Sequence, residues 1–272
     1  MQQAYRVLRV VSEAQTIRMV LSSQPDELVL SELITACAAA PTGVDTQGDG
    51  IKAIVLDFKS SPAQSTHTAQ AADGSAPPNE PPTAIVERTR EAVWKLAPPV
   101  LAVARSTLSP TASILAHTSD LILAAHDAVL TITDPQCQHD RLTGEQAARL
   151  GYVTCSVPSG DIDAEMARML DMLRDKSAIA LRLAKASVRL VLPIGAPLIA
   201  PETSGGQQLI APVETGGNGA TLSPASTSSA RQRLEALKQV NAFYLDSLMR
   251  TEDAQEGLHA FLEKRKAHWK NR

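Results

Sequence analysis

Two short, largely apolar runs narrow the possible folds of this chain more than any other feature. They are IKAIVLDF at 51–58, in which only Lys52 and Asp57 are polar, and PVLAVA at 99–104, and each has the length of a β-strand. A strand with apolar residues on both faces is buried on both, which is typical of a parallel sheet covered by helices. Helical patterns, with apolar residues three or four positions apart, occur at 27–40 and 83–96. The sequence therefore predicts an α/β fold with a parallel sheet and right-handed crossovers.

The same patterns predict the remaining strands and helices. Strands are predicted in an N-terminal hairpin at 5–11 and 16–21 and further along the chain at 120–125 and 128–132, and residues 151–157 are predicted to lead into another strand. Helices are predicted at 110–118, starting at Pro110; at 143–150, ending at Gly151; over 161–191, as one or two helices; and at 230–250 and 253–268, the last with start signals at Thr251 and Asp253.

Two low-complexity stretches divide the chain. Residues 59–82 and 193–229 are rich in Ser, Thr, Ala, Pro, Gly and Gln and hold few large apolar residues. Both are interpreted as insertions in surface loops, which cost little loop-closure entropy. The predicted organisation is a core at 1–192 with a flexible insertion at 59–82, a linker at 193–229, and a C-terminal helical region at 230–272.

Composition argues against several classes of protein. The net charge is -3 and no basic stripe stands out, so nucleic-acid binding is not expected. The three cysteines lack a CxxC spacing and the six histidines lack metal-ligand spacing, so neither a disulfide framework nor a metal site is predicted. The N-terminal residues lack a signal-peptide pattern, and no apolar run approaches the roughly 20 residues that span a bilayer. The protein is therefore predicted to be soluble and cytoplasmic.

Four stretches, in order along the chain, resemble the crotonase (enoyl-CoA hydratase/isomerase) superfamily. The C-terminal stretch is the most specific, because it combines an acidic start with Glu256-Gly257, Ala260-Phe261 and Glu263-Lys264-Arg265. The four stretches are IKAIVLDF, PPVLAVARSTLSPTASILAHTSDLILAAHDAVLTITD, LTGEQAARLGYVTCSVP and TEDAQEGLHAFLEKRKAHWK.

The resemblance implies a ClpP/crotonase spiral of ββα units followed by a C-terminal helical trimerisation region. It implies chemistry on acyl-CoA thioesters, with the coenzyme A thioester as substrate or ligand and no other cofactor. In that family two backbone N–H groups bind the thioester oxygen and stabilise the charge that develops on it. Homotrimers or hexamers are expected, and a hetero-oligomer with an active paralogue is a further possibility.

The resemblance also shows where this chain departs from the family's active site. Thr111 falls on the glycine that supplies an oxyanion-hole N–H, and its branched side chain is expected to crowd the thioester. Ile114 falls on the first hydratase glutamate and can neither take nor give a proton. The segment that normally carries the other oxyanion donor is missing, and Ala72-Asp73-Gly74 is only a weak counterpart of it.

Asp134 falls on the family's second carboxylate and is the candidate catalytic acid or base. The alternative is a turn-forming aspartate before Pro135, which local chemistry favours. The long helical stretch that usually follows this position in the family is absent, because Asp134 runs almost directly into Leu142-Thr143-Gly144. Its absence suggests an open or filled acyl pocket.

The C-terminal helix carries two candidate CoA contacts, which in the family reach the CoA of a neighbouring subunit. Phe261 corresponds to the residue beside the adenine and Lys264 to the residue near the phosphates. The alternative for Phe261 is a core position on the apolar side of the helix. The basic cluster that includes Lys264 is also consistent with a solvated helix end.

Three functions remain open from the sequence. The first is an acyl-CoA-binding protein of the enoyl-CoA hydratase/isomerase type whose hydratase activity is reduced or lost. The second is an active isomerase, hydratase or hydrolase that uses Asp134 as its sole acid and base. The third is an oligomeric scaffold without a ligand.

Overall fold

A twisted sheet of short apolar strands organises the fold. The computed structural model describes residues 5–40, 50–59, 81–132, 140–189, 235 and 237–271. Within these ranges the strands are β1 Arg9–Glu13, β2 Thr16–Ser22, β3 Ala53–Lys59, β4 Val100–Ala104, β5 Leu121–Ala125, β6 Val129–Ile132, β7 Asp140–Thr143 and β8 Cys155–Val157. The main sheet has the order β1-β2-β3-β4-β5-β8, and β6 pairs with β7 in a separate two-stranded sheet.

The main sheet is parallel except for its first pair. Strand β1 runs antiparallel to β2, whereas the neighbouring pairs from β2 to β8 are parallel. Strands β3 and β4 are buried throughout, apart from Lys59 at the end of β3. The parallel sheet, the N-terminal hairpin and the two buried strands are therefore confirmed.

Helices flank the sheet at the predicted places. They are α1 Glu27–Ala39, α2 Thr83–Lys95, α3 Pro110–Thr118, α4 Gly144–Arg149, α5 Ile162–Arg174, α6 Ala178–Arg189 and α7 Glu252–Leu262. Residues 237–243 are also helical and continue into a π-helical turn at Tyr244–Leu248. None of the described helices is both long enough and apolar enough to cross a bilayer.

Side-chain caps explain why several of these helices start where they do. The hydroxyls of Ser109 and Thr251 accept hydrogen bonds from the third residues of α3 and α7, and Thr143 forms a capping box with Gln146. Pro110 occupies the first turn of α3, where a missing N–H costs nothing. The predicted helix starts at Pro110 and near Thr251 are confirmed.

Two predictions of secondary structure were wrong in detail. Strand β7 was not predicted, since it is only four residues long and gains its backbone partners from β6. The last helix was predicted to reach residue 268, but it ends at Leu262 and Lys264 has a φ of 54°.

The predicted flexible insertion and linker lie outside the described residues, apart from residues 59, 81 and 82.

The start of α4 packs so closely on β5 that Gly144 has no room for a side chain. A Cβ at this position would lie 2.1 Å from the carbonyl oxygen of Ala125. We expect Gly144→Ala to lower the free energy of unfolding by about 1–3 kcal/mol, because the helix must shift away from the strand. Thermal unfolding measures the loss. Gly160→Ala is the matched control, because a Cβ there meets no atom within 4 Å, and an equal effect of both changes would contradict the packing argument.

Candidate functional site

The first turn of α3 leaves one backbone donor available. Pro110 has no N–H, the N–H of Ala112 donates to the Ser109 hydroxyl at 3.2 Å, and that of Ser113 donates to the Ser109 carbonyl at 2.9 Å. No described residue accepts a hydrogen bond from the N–H of Thr111. The residue as a whole is 2% exposed. A buried N–H without a partner is costly, and such donors often meet a ligand or water. Thr111, the predicted oxyanion donor, is therefore the group at this helix start with donor capacity to spare.

Neighbouring elements fix the junction that carries this donor. The N–H of Ser109 donates to the carbonyl of Ser23, after β2, and the N–H of Leu108 donates to that of Val129 in β6, both at 2.9 Å. The buried hydroxyl of Ser113 accepts the N–H of Thr131 at 3.0 Å. Because three separate contacts hold the junction, the N–H of Thr111 has little freedom to change direction.

An ion-pair network around one buried carboxylate holds the end of β4, just before this junction. The carboxylate of Asp57 is completely buried and accepts hydrogen bonds from both Arg18 and Arg105. Arg105 also donates to Asp163 of α5 at 2.5 Å. Burial acts to lower the pKa of Arg105, but its hydrogen bonds with Asp163 and Asp57 outweigh burial and raise that pKa. The network joins β2, β3, β4 and α5 at the carboxyl end of the sheet.

Within α3, Ile114 and His117 are only partly buried, whereas the residues between and next to them are buried. These two side chains therefore mark the more exposed side of the helix. Ile114 packs against the hydrophobic core. Although His117 keeps some exposed surface, its Nε2 is enclosed and has no hydrogen-bond partner among the residues that the structure describes. Burial lowers the pKa of His117 to about 4, so the imidazole is neutral at neutral pH. This side of the helix therefore carries no charge at neutral pH.

Several predicted site residues cannot be placed. Asp134, Pro135 and the Ala72-Asp73-Gly74 segment lie outside the described residues. The catalytic role of Asp134 and the position of the other oxyanion donor therefore stay predictions. In the ranges that the structure describes, no group of three or more His, Cys, Asp or Glu side chains is placed to hold a metal ion.

The two candidate CoA contacts lie at the surface, at the end of the last helix. Phe261 is 79% exposed, so the alternative prediction of a core position is wrong for the single chain. Lys264 is also exposed and follows the helix in a left-handed backbone conformation. Helix α7 packs on α6 rather than beside α3. A role for these residues at the thioester site of the same chain is not supported by this arrangement.

Sequence reasoning missed the residues that hold the donor in place. Ser109 could have been found, because a serine directly before a proline is a common start of a helix. Asp57 also carried a signal, since it is the acidic residue inside the largely apolar run at 51–58. Its partners Arg18 and Arg105 carried none, because they are 39 and 48 positions from Asp57 in the chain.

Solved structures share this architecture over nearly the full chain. An enoyl-CoA hydratase from Geobacillus kaustophilus has a TM-score of 0.64 at 15% identity, covering 100% of this chain and 98% of its own. An enoyl-CoA hydratase/isomerase from Mycobacterium paratuberculosis has a TM-score of 0.61 at 16% identity, covering 99% and 100%. The fold therefore defines a class: this chain is a crotonase-fold protein, as the resemblance predicted.

The sequence comparisons cover less of the chain. A cyclohexa-1,5-dienecarbonyl-CoA hydratase from Thauera aromatica is 58% identical over 38 residues, which are 14% of this chain and only 15% of that protein. No family model matches the chain. The two solved structures named above are an enoyl-CoA hydratase and an enoyl-CoA hydratase/isomerase, and the short sequence match is also to a CoA hydratase.

Proposed function

We propose that this chain is a divergent member of the enoyl-CoA hydratase/isomerase family that binds acyl-CoA thioesters with reduced or lost hydratase activity. The observation that carries the proposal is the N–H of Thr111, which no described residue accepts. In a crotonase fold this is the position that offers an N–H to the thioester oxygen, and a preorganised donor stabilises negative charge there.

The loss of hydratase activity is inferred from Ile114. Hydration of an enoyl thioester requires a group that moves a proton to or from water, and an aliphatic side chain cannot do so. Ile114 packs against the core, one helical turn from His117, whose enclosed Nε2 and low pKa of about 4 make it a poor base for moving a proton to or from water. No described side chain of α3 therefore replaces the missing glutamate.

The second candidate function is an active acyl-CoA isomerase, hydratase or hydrolase that uses Asp134. It is favoured by the acidic residue at the family's second carboxylate position. In this case the Thr111 N–H would polarise the thioester and Asp134 alone would move protons, so the enzyme would be a lyase, isomerase or hydrolase with a single acid and base.

Self-assembly is part of the proposal. A large apolar surface of this kind usually marks a site of contact with a partner. The exposed apolar side chains of the C-terminal helical region are Leu237, Tyr244, Leu245, Met249, Leu258, Phe261 and Leu262. We infer that a second copy of the chain covers this surface, in a homotrimer or hexamer, or that an active paralogue does so. Phe261 and Lys264 would then reach the CoA of the neighbouring subunit.

Binding and turnover measurements separate the candidates. We expect acetoacetyl-CoA to bind more tightly than free CoA by calorimetry, because only the thioester oxygen can accept from Thr111. We expect the absorbance maximum of bound cinnamoyl-CoA to move to longer wavelength, since a hydrogen bond to the thioester oxygen polarises the conjugated system. Crotonyl-CoA hydration should stay at background.

Each other result selects a different function. Turnover that disappears in Asp134→Asn would establish the active enzyme in place of the inactive binding protein. Equal affinity for CoA and its thioester, without a spectral change, would exclude Thr111 as the oxyanion donor. Absence of any CoA binding would leave the oligomeric scaffold.

A further inference from the structure

A groove lies between the second halves of helices α1 and α2. Its volume is about 360 Å³, which is within the range of small-molecule sites. Two of the residues that line it, Ala38 of α1 and Ala92 of α2, have small side chains, so the facing helices leave this space unfilled. The rest of the apolar lining consists of Ile34, Cys37 and Leu96.

The most buried part of this lining offers water little to bond with. Cys37 and Leu96 are 6% and 2% exposed. Burial raises the pKa of the Cys37 thiol to about 12, so the thiol stays protonated at neutral pH and behaves as a small apolar group. An apolar ligand that replaces water in such a groove gains free energy in proportion to the apolar area that it covers.

The solvent edge of the groove is charged, and its charge is not balanced. Arg88, Glu91 and Lys95 of α2 border the groove, and their spacing of three and four residues places them on one side of the helix. Glu91 pairs with Lys95 at 2.7 Å, and this contact lowers the pKa of Glu91. Arg88 is exposed, and among the described residues no carboxylate forms an ion pair with it. The groove therefore keeps one unpaired cation beside its apolar lining.

The groove and the junction that carries Thr111 lie at opposite edges of the sheet. Helix α1 starts after the carboxyl end of β2, and the chain then returns to the start of β3, so the second half of α1 lies toward the amino ends of the parallel strands. Helix α2 likewise ends just before the start of β4, whereas Thr111 follows the carboxyl end of β4. A ligand in the groove would therefore not occupy the thioester site.

We propose that this groove binds a small carboxylate with an apolar chain, of the class of the medium-chain fatty acids. The chain lies between α1 and α2, and the carboxylate accepts hydrogen bonds from Arg88. A planar guanidinium suits a carboxylate, because it can donate two parallel hydrogen bonds to the two oxygens. A single negative charge also matches the single unpaired cation, whereas a phosphate would bring a second charge close to Glu91. The inference does not depend on the proposed function, since it concerns a free acid at a second site.

Titration of the full-length protein with octanoate, followed by methyl NMR, tests the site. We expect saturable shifts of the methyl signals of Ile34, Ala92 and Leu96, which line the groove. Octylammonium has the same chain and the opposite charge, so we expect it to bind about tenfold more weakly than octanoate. Failure to saturate, saturation without shifts of these methyl groups, or equal affinity for the two ligands would overturn the proposal.

The charged contact is tested by Arg88→Gln, which should weaken octanoate binding about tenfold because a charge-assisted hydrogen bond is lost. Arg90→Gln is the matched control. Arg90 lies on the same helix, pairs with Glu87 at 2.7 Å and does not line the groove, so its replacement should leave the affinity unchanged. Equal affinities of the two variants would contradict the role of Arg88.

The apolar contact is tested by Ala92→Leu, which fills the groove and should also weaken octanoate binding about tenfold, with an unchanged circular dichroism spectrum. Wild-type affinity in this variant would overturn the proposal. Acetoacetyl-CoA should not displace octanoate, because Thr111 lies at the opposite edge of the sheet. Displacement would place octanoate in the thioester site and exclude the groove. Octanoate binding without any binding of acetoacetyl-CoA would support the groove and contradict the proposed function.

Discussion

Replacing Asp57 by asparagine is expected to lower the free energy of unfolding by about 3 kcal/mol. Asp57 is completely buried and is the shared partner of Arg18 and Arg105, whose side chains are 22% and 17% exposed. Asparagine keeps the shape but removes the charge, which leaves the partly buried guanidinium of Arg18 without its counter-ion and that of Arg105 with Asp163 alone. We expect a loss near the lower end of the range seen when one partner of a buried ion pair is removed, because both arginines keep some contact with water.

Denaturant unfolding at a fixed protein concentration measures this effect, since assembly would otherwise alter the apparent stability. Asp163→Asn is the matched control. It removes a carboxylate from the same network, but Asp163 is 70% exposed and its loss should cost less than about 1 kcal/mol. Similar losses in the two variants would show that the position of Asp57 in the core does not determine its contribution.

The second large effect is an acid-dependent loss of stability caused by His117. Its pKa is about 4 in the folded protein, against 6.5 for an unperturbed histidine. Below pH 6.5 the unfolded chain therefore binds a proton that the native chain does not bind, and unfolding is favoured. Above pH 6.5 this difference in proton binding contributes about 3 kcal/mol to the free energy of unfolding, and the contribution is lost progressively as the pH falls from 6.5 to 4.

Denaturant unfolding at several pH values checks this prediction. His117→Leu removes the titrating group and should flatten the pH dependence between pH 6.5 and 4. It should cost little stability at pH 7, because it replaces an enclosed nitrogen to which no described residue is hydrogen-bonded. His259→Leu, at an exposed position of the last helix, should keep the wild-type dependence. An unchanged slope in His117→Leu would mean that His117 is not the source of the acid sensitivity.

The position of Thr111 shows both the strength and the limit of prediction from sequence. The sequence located the start of α3 at Pro110 and placed Thr111 on the family's oxyanion donor. It did not indicate that Ser109 satisfies the next two N–H groups of the helix, so that only the N–H of Thr111 is left without a described acceptor. It also did not indicate that Thr111 would be almost completely buried.

The C-terminal motif shows the same contrast. The sequence identified the motif and its helix start, but the prediction extended the helix through residues that in fact turn back along it. Helix propensity and charge pattern continue past Leu262, and only the tertiary contacts of Asp253 and Glu256 with the tail, residues 265–271, explain why the helix stops there.

What the sequence determined by itself was the fold class and the place of most strands and helices, and the resemblance to the family predicts the positions where the active site is altered. These features depend on local patterns: apolar runs that bury strands, side-chain caps, and residue identity at motif positions. The tertiary structure alone decided the partners of Asp57, the enclosure of His117 and the path of the tail. These depend on contacts between residues far apart in the chain, and the free energy of a buried charge or polar group is set by its neighbours in space.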